Sequence, residues 1–238
     1  GDVALEDIAT LWKPGRPVAA IVFYRALVQA SAVAPIDALV AALDEQGLNA
    51  LPLYSQSLKE QAGAAFVEEA LALHAPAVIV NCTGFALASP GAERGPTPFD
   101  GADCPILQAV LSGGTFDAWN EGLRGMAPRD IAMNVALPEV DGRILTRAIS
   151  FKSARRWDER TQTNVVRHEP VADRVMWTAR LAAAWARLRN AEVGDRRVAL
   201  VMANYPNKDA RIGNGVGLDT PASSARILHT LDAAGYDV

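Results

Sequence analysis

The chain has 238 residues, half of them hydrophobic, with a formal net charge of −4, so it can bury a sizeable core and carries no basic surplus of the kind that draws nucleic acid. Its most apolar runs, Val18 to Phe23 and Val198 to Ala203, are strand-sized and fall short of the ~20 residues of a membrane helix. The acidic opening Gly1 to Asp7 lacks the apolar stretch of a secretory leader, and a cytoplasmic protein without membrane or nucleic-acid partners is expected.

Two cysteines, Cys82 and Cys104, fit a reducing compartment as small apolar residues rather than a disulfide framework. The histidines His74, His168 and His229 show none of the HxH, HExxH or CxxC spacings that prefabricate a zinc site. A tightly held structural metal is not indicated.

In chain order, residues 1–16 read as an N-terminal tail and 17–152 as an α/β domain. Pro17 to Tyr24 is a continuous apolar run, as expected of a strand covered on both faces. Ile36, Leu39, Val40 and Leu43 then fall at helical spacing, and Gly47 stands where a helix commonly ends. Ala50 to Tyr54 predicts a second strand, Phe66, Val67, Ala70 and Leu71 a second helix, and Ala77 to Asn81 a third strand. Such alternation argues for a parallel sheet flanked by helices, a Rossmann- or flavodoxin-like unit.

A Gly-, Pro- and Ser-rich stretch from Thr83 to Asp103 reads as a long functional loop. Beyond it the pattern predicts a strand over Pro105 to Leu111, a short helix over Phe116 to Leu123 and a fifth strand over Ile131 to Leu137, ending at Pro138. Arg143 to Phe151 reads as an extended segment leaving the domain. Residues 153–195 read as a linker and a long connecting helix, whose apolar stripe is Trp177, Leu181, Ala184, Trp185 and Leu188. Residues 196–238 read as the first β-loop-α unit of an incomplete second domain: a strand over Arg197 to Ala203, a glycine-rich loop, and a helix with Thr220 as N-cap and Pro221 at its first position.

Ligands of open parallel sheets bind beyond the carboxyl ends of the strands. That rule selects Tyr24 and Arg25, Asn81 and Thr83, and Ser112 as substrate-binding candidates, and Glu139 as a carboxylate held rigidly at a strand end, where partial desolvation suits it to proton transfer. The loop from Asn204 to Thr220 adds Asn204, Lys208, Arg211, Gly213, Gly215 and Gly217, because alternating glycines let backbone amides approach an anion. It fits neither nucleotide fingerprint, since no Gly-Lys-Ser/Thr follows and the loop is too long for the tight dinucleotide turn. A carboxylate, an amide-bearing ring substituent or a neighbouring protein loop suits its amides better than ATP or NAD.

The run Asn204-Tyr205-Pro206-Asn207-Lys208-Asp209, followed by Arg211-Ile212-Gly213-Asn214-Gly215-Val216-Gly217-Leu218-Asp219-Thr220-Pro221, resembles the large-subunit family of cobaltochelatases and magnesium chelatases. So do Phe23-Tyr24-Arg25-Ala26, the stretch Ala132 to Arg143 with its Pro138-Glu139-Val140-Asp141-Gly142 motif, and Arg147 to Lys152. The Asn-rich glycine loop looks like the cobalt branch. Family members are much longer, so the resemblance implies a piece of a large subunit, expected to be inactive alone.

What it implies for the whole is insertion of Co²⁺, as substrate, into hydrogenobyrinic acid a,c-diamide in cobalamin biosynthesis. ATP and Mg²⁺ would sit on an AAA+ ATPase subunit acting with a companion chelatase subunit, and Glu139 looks like the catalytic candidate. The residues themselves leave two alternatives open, a magnesium chelatase piece and an unrelated α/β ligand-binding module.

Overall fold

The structure, a computed structural model, describes residues 4–88, 91, 95–153, 156–203 and 213–238. The chain divides into two compact units, Gly1–Ala186 and Arg187–Val238.

The first unit is an α/β sandwich built on one sheet. Strand β1 (Val18–Tyr24) is followed by the short helix α1 (Arg25–Gln29) and by α2 (Ala34–Glu45), which Gly47 terminates at φ +80°. Strand β2 (Asn49–Ser55), helix α3 (Gln61–His74) and strand β3 (Val78–Asn81) follow, so the three apolar runs are strands as the sequence predicts. β1 pairs in parallel with both β2 and β3. Its side chains alternate between two cores: Ala19, Ile21 and Phe23 pack with Leu39 and Leu43 of α2, while Ala20 and Val22 pack with Val67 and Leu71 of α3. Burial of both faces is why β1 shows no polar alternation.

The reading of residues 1–16 as a tail needs correction. Leu5, Ile8 and Trp12 pack against the α3-side core, and the Trp12 indole donates to the Ala50 carbonyl at 3.1 Å.

Strand β4 (Ile106–Thr115) pairs in parallel with β3 and leads into α4 (Phe116–Asn120). The predicted strand over Ile131 to Leu137 is instead helical. Helix α5 (Pro128–Ile131) runs into a π-helical turn (Ala132–Ala136) and then α6 (Leu137–Val140). Short apolar runs do not separate helix from buried strand, and here Pro128 in the first turn starts a helix. In the π turn the Leu137 amide bonds the Ala132 carbonyl, and Pro138 has no N–H with which to engage the next carbonyl, that of Met133.

The segment expected to leave the domain is strand β5 (Ile144–Lys152), parallel to β4 with register shifts beyond Gln108. After the hairpin β6 (Arg156–Asp158) and β7 (Thr163–Val165), strand β8 (His168–Pro170) pairs antiparallel with β5. The sheet order is β2-β1-β3-β4-β5-β8, whose parallel part is the 2-1-3-4-5 order of flavodoxin-like folds.

Helix α7 (Ala172–Asn190) covers the α2 side of that sheet with a face that only partly overlaps the predicted stripe, since Leu181 and Trp185 pack at its margin while Ala184 and Leu188 are exposed. Val175, Thr178, Ala179, Ala182, Ala183 and Ala186 are buried, whereas Trp177 is 37% exposed. Small side chains let the helix lie close to the sheet, so bulk was a poor guide to which face is inward. No helix among the described residues is long and apolar enough to cross a membrane.

In the second unit, 197–203 forms no strand among the described residues, although a strand is predicted there. A strand exists only with a hydrogen-bonded neighbour, and the described residues offer none. Helix α8 (Thr220–Ala233) is capped by Asp219, not Thr220: the Asp219 carboxylate accepts from the Ala222 amide at 3.0 Å, and Pro221 lies in the first turn.

Candidate functional site

In a 2-1-3-4-5 sheet the ligand crevice is expected where the order reverses, between the carboxyl ends of β1 and β3. Here that crevice is bridged by protein. The Tyr24 hydroxyl donates to the Gly84 carbonyl at 3.1 Å, and burial pushes the phenol's pKa up, so it stays a neutral donor.

Behind it lies a buried polar network. Asn81 Nδ2 donates to the Thr83 carbonyl at 2.9 Å and to Gln108 Oε1 at 2.7 Å, Thr83 Oγ1 donates to Asn81 Oδ1 at 2.9 Å, and Gln108 Nε2 donates to the Thr83 carbonyl at 2.9 Å. Asn81, Thr83 and Gln108 are each no more than 1% exposed. The sequence-predicted Asn81 and Thr83 are therefore brought together with Tyr24, but as the filling of the crevice rather than its lining.

Arg143 and Asp141 extend this network. Arg143 Nη2 donates to Asp141 Oδ2 at 2.6 Å, with both side chains buried. Asp141 also accepts from the amides of Leu87 and Ala88, at 2.8 and 2.9 Å. Burial pulls the Arg143 guanidinium below its ordinary range, against the pull of the Asp141 carboxylate. One face of the guanidinium stacks on Phe99, 5.7 Å from the ring centroid. The pair thus straps the end of the 83–88 loop to the foot of β5.

Glu139 requires a correction. It is on the last turn of α6, not at a strand end, and its side chain is exposed. The turn below it is held by its backbone carbonyl, which accepts from the Gly142 amide at 2.9 Å. Ser112 is likewise not beyond its strand: it lies within β4, 2% exposed, and donates to buried Asp130 at 2.6 Å. Arg25 is exposed on α1, where its guanidinium bonds Gln56. Asn204, Lys208 and Arg211 lie outside the described residues. Gly213 and Gly217 have φ +70° and +76°, the Gly215 carbonyl accepts from the Leu218 amide at 3.0 Å, and the Thr220 hydroxyl donates to the Gly213 carbonyl.

The loop after β3 docks on the π turn. The Phe85 amide donates to the Met133 carbonyl at 2.7 Å. A Cβ on Gly84 would lie 2.9 Å from Asn134 Oδ1 and 3.1 Å from the Met133 carbonyl oxygen. Gly84→Ala is accordingly expected to lower stability by about 1–3 kcal/mol, measured by urea denaturation, with Asn134→Ala in the same chain restoring part of the loss.

Open space at the carboxyl edge is found at β4 and β5 instead. A groove of about 1510 Å³ lies between the ends of these strands, the start of α4 and the β6–β7 hairpin, lined among others by Phe116, Phe151, Lys152, Trp157 and Arg167. None of these was singled out as a site residue from the sequence. They come from separate segments, and mixed charges with scattered aromatics leave no spacing to recognise. Cys82 is no alternative reactive group, since burial pushes its thiol up to about 12, and the described residues contain no cluster of three His, Cys, Asp or Glu side chains able to hold a metal ion.

Comparison with known proteins gives one consistent picture. Residues 3–238 match the family model CobN/Magnesium Chelatase. The chain is 48% identical over 222 residues to the aerobic cobaltochelatase subunit CobN of Sinorhizobium sp, covering 93% of the chain and 17% of that protein. It is 46% identical over 237 residues to the CobN subunit of Pseudomonas aeruginosa, covering 100% and 19%. A magnesium-chelatase subunit of Chlorobaculum parvum is 28% identical over 213 residues, covering 85% and 16%. Among solved structures, the catalytic subunit of cobaltochelatase from Mycobacterium tuberculosis superposes with a TM-score of 0.78 at 32% identity, covering 94% of this chain and 19% of that one. The chain spans about a fifth of the length of these relatives.

Proposed function

Because the chain belongs to the CobN/magnesium chelatase family, we propose that it is a segment of the tetrapyrrole-binding large subunit of an ATP-dependent cobaltochelatase. The complete protein would insert Co²⁺ into hydrogenobyrinic acid a,c-diamide in cobalamin biosynthesis, together with an AAA+ ATPase subunit and a companion chelatase subunit that carry ATP and Mg²⁺. The observation that carries cobalt over magnesium is the much higher identity to the two CobN subunits than to the magnesium-chelatase subunit, over comparable stretches.

Insertion requires that ring nitrogens lose protons, that the metal sheds water and that the macrocycle is held in a productive geometry. In this reading the 83–88 loop, strapped by Asp141 and Arg143, and the helical stretch beneath it form a rigid wall. Glu139, exposed at the end of that stretch, is the proposed proton acceptor.

The reading is tested by reconstituting the complete subunit with its two partner subunits and following the ring's absorption spectrum with each metal. ATP-dependent insertion of Co²⁺ but not Mg²⁺ into hydrogenobyrinic acid a,c-diamide is expected. Insertion of Mg²⁺ into a porphyrin by the same complex would move the protein to the other branch.

A further inference from the structure

We propose that the groove between β4, β5 and the β6–β7 hairpin seats the rim of the macrocycle, taking its carboxylate and amide side chains together; this rests on the tetrapyrrole reading above. At about 1510 Å³ the groove exceeds the ~300–1,000 Å³ of ordinary small-molecule sites, so it suits a ligand larger than a nucleotide.

Its wall is aromatic. Phe116 meets Phe151 edge-on, with centroids 5.6 Å apart, and the hairpin adds Trp157, 50% exposed. Phe151 is itself 1% exposed and backs the wall, so the surface that suits the apolar face of a large ring is that of Phe116 and Trp157.

The charged lining is mixed, and that narrows the ligand. Lys152, Arg160 and Arg167 line one hollow together with Asp117, Asp158, Glu159 and Glu169. A ligand carrying only carboxylates would be repelled by half of this rim, and one carrying only amides would offer the cations neutral carbonyl oxygens, weaker acceptors than carboxylates. A ring that carries both satisfies both halves, its carboxylates accepting from Lys152 and Arg167 and its amide N–H groups donating to Asp117 and Glu169.

The main chain that carries Arg167 is tied to Ser153, next to Lys152. The Ser153 amide donates to the Arg167 carbonyl at 2.7 Å, and the Arg167 amide donates to Ser153 Oγ at 3.0 Å. Of the hairpin carboxylates Asp158 and Glu159 in the lining, Asp158 is engaged by its own turn, accepting from the Arg160 and Thr161 amides at 2.9 Å each. Its pKa is held below the ordinary carboxylate range by those bonds.

The test uses the complete subunit, titrated with hydrogenobyrinic acid a,c-diamide and, separately, with the fully amidated ring. Lys152, Trp157 and Arg167 are exposed, so substituting them leaves the core untouched. Lys152→Gln combined with Arg167→Gln is expected to weaken binding of the carboxylate-bearing ring roughly tenfold while the amidated ring changes by less than about threefold. Trp157→Ala is expected to weaken both rings. If the wild type binds and neither variant differs from it, or if the double Gln variant loses both rings equally, the groove assignment is overturned and the chelatase reading stands. If the wild-type subunit binds neither ring, both are overturned.

Discussion

Replacing Asp141 with alanine is expected to destabilise the first unit by about 3–5 kcal/mol, the range for removing one partner of a buried ion pair. The change leaves the Arg143 guanidinium buried without its carboxylate and orphans the Leu87 and Ala88 amides, which Asp141 accepts from. The other partner is poorly placed to adapt, because Arg143 Nε is buried and already without an acceptor among the described residues. Removing both charges together, as Asp141→Leu with Arg143→Met, should cost less than Asp141→Ala alone, since no buried charge is then stranded. Urea denaturation followed by circular dichroism measures the difference. A loss below about 1 kcal/mol for Asp141→Ala would mean that the guanidinium turns out to water, and that the pair is not what fixes the loop.

Glu139→Gln in the complete subunit with its partners is expected to lower cobalt insertion by about 10² to 10⁴, the usual effect of losing a positioned proton acceptor. Folding should be unaffected, because the side chain is exposed and the turn below it is held by the backbone carbonyl, which the substitution preserves. Ring affinity should change little, since a large macrocycle is recognised through many contacts. Insertion rate, ring affinity and melting temperature measured on one preparation discriminate the outcomes. Normal insertion with an unchanged melting temperature would remove Glu139 from the chemistry.

The central sheet was legible because it is buried on both faces. Val18 to Phe23 and Ala77 to Asn81 read as strands from apolar continuity alone, and they are β1 and β3. The same rule failed at Ile131 to Leu137, where an equally apolar run is helical and Ile131 is 42% exposed. Apolar content marked a stretch that touches protein without saying which backbone it adopts. β5 was read as extended, but its place in the sheet was missed for the converse reason: Thr146, Arg147 and Lys152 interrupt it, and Arg147 lies over the Trp177 ring at 4.3 Å, using a charge where a core strand would use a hydrocarbon.

The candidate site divided along a different line. Sequence reasoning grouped residues that the fold does bring together, since Tyr24, Asn81 and Thr83 converge at the carboxyl ends of β1 and β3. It could not tell a residue that lines a crevice from one that fills it, because both are polar and both follow an apolar strand. Only the hydrogen-bond partners decide, and these lie far off in the chain: Gln108 is 27 residues from Asn81, and Arg143 is 60 from Thr83.

The π turn has a consequence for how this region can change. The bond between the Phe85 amide and the Met133 carbonyl joins loop to helix through main-chain atoms alone, and Pro138 is the one side chain whose chemistry opens the gap. Phe85, Met133 and Asn134 could each be exchanged in turn without severing that link. Alanine at those three positions would therefore pass over the joint in silence, whereas an amide-to-ester exchange at residue 85 deletes the N–H, weakens the Gly84 carbonyl that Tyr24 donates to, and so sets an upper bound on how much of the wall's stiffness the link carries.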